Sequence, residues 1–169
     1  MSSDVNAPAE SARDAGLAGK VGIVTGGGAA DDGIGNGRAA AIVLARSGTR
    51  VLAVERRAEL ADRTVEIVNS EGGTAAAFTS DVTEDAQCQA MIAAAVERFA
   101  RLDFLDNHVG IGSRGSVVDE DPVVWDRLMS VNVRSVFLAA KYAIPAMIET
   151  AGGGAIVYVA SIAALGRKA

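Results

Sequence analysis

Short, fully apolar runs alternate with longer stretches of helical period along nearly the whole sequence. Val21–Thr25 (VGIVT), 50–54, Thr74–Thr79, Phe104–Asn107 and 155–159 read as strands. Short apolar runs of this kind suit strands buried on both faces. Between them, residues 35–47 read as a helix that ends at Gly48. Leu60, Thr64, Ile67 and Val68 mark one face of a second helix, closed by Gly72 and Gly73. Met91, Ile92, Ala95, Val96 and Phe99 form the stripe of a third. A long stripe then runs through Trp125, Leu128, Met129, Val133, Val136, Phe137, Ala140, Ile144 and Met147 and ends at the glycines 152–154. Strands joined by helices of this length pair in parallel, through right-handed crossovers. The expected fold class is α/β: a doubly wound parallel sheet of about five strands.

Composition narrows the function. The 169 residues are 50% hydrophobic, which suits one domain with a real core. The net charge is −5 and no basic cluster stands out, so a nucleic-acid partner of the basic kind is not expected. Cys88 is the only cysteine and His108 the only histidine, which excludes a disulfide scaffold and a His-rich metal site. Residues 1–17 are rich in Ser, Ala and Asp and lack the basic start and apolar run of a secretory signal. They read as a disordered tail before a domain over 18–169. No uncharged apolar run approaches the ~18 residues of a membrane span. A cytoplasmic protein without a membrane partner is the expectation.

The first strand runs straight into Thr25-Gly26-Gly27-Gly28-Ala29-Ala30-Asp31-Asp32-Gly33-Ile34-Gly35. Glycines let the backbone turn sharply and come close to a pyrophosphate, and the following helix offers free N–H groups and the positive end of its dipole. A strand before and a helix after are the context a dinucleotide fingerprint requires; a flexible turn is the plain alternative. No G-x-x-x-x-G-K-[ST] is present, which disfavours a P-loop hydrolase. Glu55 closes the second strand, 22 residues beyond Gly33. An acid there accepts from a ribose 2′-OH and repels a 2′-phosphate, so NAD is expected over NADP. Arg56 and Arg57 follow at once and leave NADP open. A solvated loop acid is the other reading of Glu55.

Taken together, these motifs resemble those of the short-chain dehydrogenase/reductase family, over about residues 17–165. Thr25-Gly26 with Gly33-Ile34-Gly35 resembles the family's TGxxxGIG, with six residues rather than three between the halves. Asp81-Val82, after the third strand, sits where the family places an Asp against the adenine ring; Asp81 also reads as a helix-capping acid. Asp103 to Gly110 (DFLDNHVG) resembles D-x-L-V-N-N-A-G: Asn107 and Gly110 match, while Asp106, His108 and Val109 depart from it. Asp106 reads as a carboxylate in an apolar strand, costly to bury without a partner. His108 reads as a polar substitution at the crevice edge, with catalytic base as the sharper alternative. Asn132 interrupts the long apolar stripe; an amide on a core face marks a kink, a buried water or a site. The resemblance assigns it to the proton relay and assigns Ser161, just past the fifth strand, to orienting the substrate oxygen. It implies a Rossmann-like fold, hydride transfer between NAD(P) and a secondary alcohol or ketone, and homo-oligomers.

The family's chemistry also uses a Tyr-x-x-x-Lys pair on the helix after the fifth strand. Tyr142 and Tyr158 have Ala146 and Ile162 four residues on, so neither forms it. The expectation is a chain cut short on its C-terminal side, between Ser161 and those partners. Two further readings stand beside a working oxidoreductase: an inactive dinucleotide-binding module, and a partner subunit of an intact homologue. Such a cut is expected to expose the fifth strand's edge and part of the long helix's apolar face, favouring association.

Overall fold

The computed structural model describes residues 16–29 and 33–161. β1 (Val21–Thr25), β2 (Arg50–Glu55), β3 (Thr74–Thr79), β4 (Phe104–Asn107) and β5 (Ala155–Tyr158) form one parallel sheet in the order β3-β2-β1-β4-β5. The chain winds outward from β1 to β3, then returns to lay β4 on the other side of β1. That reversal is a topological switch point, and its crevice opens at the C-terminal strand ends.

β1 is buried along its whole length, because helices cover both faces. Successive side chains leave a strand on opposite faces. Ile23 therefore joins Leu52, Val54 and Leu105 beneath α3 (Asp85–Phe99) and α5 (Ser135–Ala151), which contribute Met91, Ile92, Leu138, Ala139, Ala143 and Met147. Val24 and Val51 pack on the other face against Ala41, Ile42 and Ala45 of α1 (Asn36–Arg46) and Val68 of α2 (Ala58–Ser70). At the foot of the sheet Asp103 gathers three donors: the Val21 N–H at 2.9 Å, Lys20 Nζ at 3.1 Å, and the forked Arg101 guanidinium at 2.6 and 2.8 Å.

The strand expectations match to within a residue: β2 reaches Glu55, and β5 stops at Tyr158 while Val159 still donates its N–H to Asn107 O. The long stripe needs correction. α4 (Pro122–Met129), a π turn over Ser130–Arg134 and α5 form one continuous helical rod. Trp125, Met129, Val133, Phe137 and Ile144, read as its inner face, are 40–63% exposed. The inner face is Val131, Ser135, Leu138, Ala139, Ala143 and Met147. The rod is apolar nearly all round, so periodicity alone does not choose between its faces; the alanines allow close approach and settle it. Asn132 is likewise exposed in the π turn rather than on a core face. By length and composition this rod, Pro122–Ala151, is apolar enough to cross a membrane. It carries Arg127, Arg134 and Lys141, and it buries one side on α3 and the sheet. Residues 1–15 lie outside the described residues. Leu17 O accepts from Lys20 N and from Thr49 Oγ1, so residue 17 is tied to the domain.

Candidate functional site

Thr25 ends β1, and its hydroxyl donates to Asn107 Oδ1 at the end of β4, with both side chains buried. This bond joins the two strands at the switch point. Gly26 follows with φ +66°, a region that favours glycine, and the Gly27 N–H donates to Val54 O at 3.1 Å. A side chain at Gly26 would crowd the His108 backbone at 3.2 Å. Gly35 is the residue before α1 and makes no side-chain cap. A Cβ on Gly37 would lie 2.0 Å from Gly26 O, so the first turn of α1 rests directly on the glycine turn. Its uncapped N–H groups and positive dipole end are thereby offered to an anion there.

Beside this turn lies a crevice of about 300 Å³, at the lower end for a small-ligand site. Gly26, Glu55, Arg56, Asp81, Val82, His108, Gly110 and Arg127 are among its lining residues. Glu55 Oε1 accepts from the Arg56 N–H at 2.9 Å, which fixes the carboxylate at the rim. Asp81 Oδ1 accepts from the Thr83 hydroxyl at 2.7 Å and the Thr83 N–H at 3.0 Å. Those two bonds, the hydroxyl's foremost, hold its carboxyl below the usual range against the opposing effect of burial; Arg56 and Arg127 add to them. Asp81 thus shapes the turn into α3 and also presents a charged carboxylate to the crevice. The helix-capping reading needs correction: the residue before α3 is Glu84, and Asp81 binds Thr83 in the turn ahead of it. Ser80 Oγ is a buried wall atom with no partner among the described residues. An orphaned hydroxyl in the wall, beside the uncapped start of α1, fits a polar ligand such as a nucleotide.

The remaining expected residues are not all brought together. Gly33 and Ile34 sit on the far arm of the turn; Ile34 is 73% exposed, and neither lines the crevice. Asn132 clamps the segment after Gly110: Oδ1 accepts from Ile111 N and Nδ2 donates to Ile111 O, each at 2.8 Å. Ser161 is exposed just past β5, outside the crevice lining. Asp106 has a polar neighbour, since His108 Nε2 lies 2.9 Å from its Oδ2, but neither nitrogen of the His108 ring makes a hydrogen bond among the described residues. Sequence reasoning passed over Ser80, Arg127 and Arg38, and read Thr64 only as part of a helix face. Arg38 had a signal, an arginine inside an Ala/Ile helix face. Ser80 had none, because nothing local separates it from a strand-end serine. No cluster of metal-ligating side chains occurs among the described residues.

A doubly wound sheet with a glycine turn at its switch point and an acid at the end of β2 defines the class of dinucleotide-binding α/β folds. A family model described as short chain dehydrogenase matches residues 20–169. The chain is 39% identical over 142 residues to 2-(S)-hydroxypropyl-CoM dehydrogenase 3 of Xanthobacter autotrophicus, covering 84% of this chain and 53% of that protein. A crystal structure assigned to the short-chain dehydrogenase/reductases, from Burkholderia xenovorans, superposes with a TM-score of 0.86 at 40% identity, covering 89% of this chain and 60% of that one. A 7α-hydroxysteroid dehydrogenase complexed with NADH and 7-oxo glycochenodeoxycholic acid superposes with a TM-score of 0.82 at 30% identity, over 90% and 57%. The chain belongs to the short-chain dehydrogenase/reductase family. It spans about half the length of the curated relatives it matches.

Proposed function

We propose that these residues form the cofactor-binding part of an oxidoreductase that moves a hydride between NAD(P) and a small secondary alcohol or ketone. The observation that carries this is the crevice at the ends of β1, β2 and β4, rimmed by Glu55 and Asp81 and floored by the glycine turn. When bound, the nicotinamide ring supplies the hydride acceptor or donor. The N–H groups of the turn and of α1 hold the diphosphate. Asp81 accepts from the adenine amine, with Val82 against the ring. Glu55 accepts from the ribose 2′-OH and repels a 2′-phosphate, which favours NAD over NADP. Thr25 and Asn107 keep the floor rigid. By resemblance, Ser161 orients the substrate oxygen and Asn132 belongs to the proton relay; here its amide also holds Ile111 in place. The Xanthobacter relative and the steroid dehydrogenase, as named, act on hydroxyl- or oxo-bearing small molecules, which supports that substrate class. Homo-oligomers and a cytoplasmic location follow as proposals from the same family.

Titrating NADH and NADPH by fluorescence tests the reading. NADH binding at least about tenfold tighter than NADPH is expected, a difference of ~1.4 kcal/mol. A chain that binds neither overturns it. A second reading is a dinucleotide-binding module without turnover, in which neither tyrosine of these residues serves as the acid/base. Tyr142 OH is engaged with Asp85 at 2.7 Å and Lys141 at 3.0 Å, and Tyr158 lies on edge strand β5. NAD-dependent oxidation of secondary alcohols by the 169-residue chain would overturn that second reading.

A further inference from the structure

Arg38 is the largest fully buried side chain among the described residues, 2% exposed on a helix face it shares with Ala41, Ile42 and Ala45. Its described acceptors are all neutral. Nε donates to Thr64 Oγ1 at 3.1 Å, one terminal nitrogen to Gly33 O at 2.6 Å, and the other to Leu60 O at 3.5 Å. Among the described residues no carboxylate lies within ion-pair distance of it. Thr64, also buried, has one proton to give; Gly27 O at 2.7 Å is the nearer taker, ahead of Leu60 O at 3.2 Å. Gly27 and Gly33 are the two arms of the glycine turn. A single Arg–Thr contact between α1 and α2 therefore ties both arms to one point.

A guanidinium is costly to bury, and an apolar side chain of similar volume would pack the same space without that cost. What it adds is geometry: a planar fork reaches several acceptors at once from one rigid group. Here the fork links Gly33 directly, and Gly27 through Thr64, although the two glycines lie six positions apart in the sequence.

We propose that Arg38, acting on Gly33 directly and on Gly27 through Thr64, is a positioning residue that fixes these two glycines where their backbone meets the diphosphate of the dinucleotide. The proposal rests on the dinucleotide reading above. The ligand moiety it governs is the diphosphate, while the adenosine end is held by Glu55 and Asp81.

Calorimetric titration of the full chain with NADH, ADP and adenosine, alongside thermal melts, separates the outcomes. Arg38→Met is expected to weaken NADH and ADP by about tenfold or more while leaving adenosine within about twofold. Arg38→Lys should fall between, since an ammonium on a flexible stem lacks the planar fork. Thr64→Val removes the Gly27 arm and the acceptor of Arg38 Nε while leaving the Arg38–Gly33 bond in place, and should weaken ADP by a few fold; with Arg38→Lys it keeps the test open if Arg38→Met does not fold. Variants that melt earlier yet bind ADP as tightly as the parent, or lose ADP and adenosine equally, overturn the positioning role and leave the dinucleotide reading standing. A parent chain that binds none of the three ligands overturns the dinucleotide reading and this proposal with it.

Discussion

Asp106 lies in β4 and His108 is the first residue past it, two positions on, and their side chains come together. They are 14% and 10% exposed, with 2.9 Å between Oδ2 and Nε2. Removing one member of a mostly buried polar pair costs more than replacing both, because the survivor keeps its desolvation penalty without a partner. His108→Ala is therefore expected to lower stability by about 1–3 kcal/mol in urea unfolding. The double substitution Asp106→Val with His108→Asn should recover most of that loss. A double variant less stable than the single one would show that the pair is held by something other than mutual compensation.

The π turn over Ser130–Arg134 matters at the level of the element. It separates α4, which buries nothing, from α5, which carries a core face. Asn132 projects from it to engage both polar groups of the Ile111 backbone, so the turn supports the segment bordering the crevice at Gly110. Each such bond contributes about 0.5–1.5 kcal/mol net. Asn132→Ala should raise amide hydrogen exchange at Ile111 and its neighbours while leaving exchange in β1 and β4 unchanged. Equal exchange at Ile111 in both proteins would assign the loop's order to other contacts. The sequence marked Asn132 as an interruption with a kink among its readings. Which groups the amide meets depended on a loop 21 residues away.

For the whole molecule, two surfaces set behaviour in solution. At the foot of the sheet, burial alone would raise the Asp103 carboxyl, but hydrogen bonds from Arg101, the Val21 N–H and Lys20 outweigh it and hold the group below its ordinary range. A depressed carboxyl contributes stability that is present above its unfolded value, near 3.9, and lost as pH falls through the lower folded value. Melting temperature should hold from neutrality to about pH 4 and drop below it. Asp103→Asn should melt lower at pH 7 but show a shallower acid decline, measured by a pH series of thermal scans. On the rod, Trp125, Met129, Val133, Phe137, Ile144 and Ile148 leave an apolar row 40–61% exposed or, at Phe137, 63%. A contiguous patch of this kind favours association. Phe137→Asp, which touches no core residue's place, should shift light-scattering mass toward the monomer; a parent already monomeric at high concentration would contradict that expectation.

Fold class, strand positions, the glycine turn and the acids Glu55 and Asp81 were all legible in the sequence, because each is a local property. A strand buried on both faces must be an apolar run, and a turn that brings helix and strand together must use glycine. Tertiary structure decided what depends on residues distant along the chain. It chose the alanine face of the rod over Trp125 and Phe137, because an apolar cylinder has no inner side until something packs on it. It joined Arg38 to Thr64, 26 residues on, around the glycine turn, and Thr25 to Asn107, 82 residues on, at the switch point. Periodicity reports how much of a segment is apolar; only packing decides which atoms a buried polar group meets.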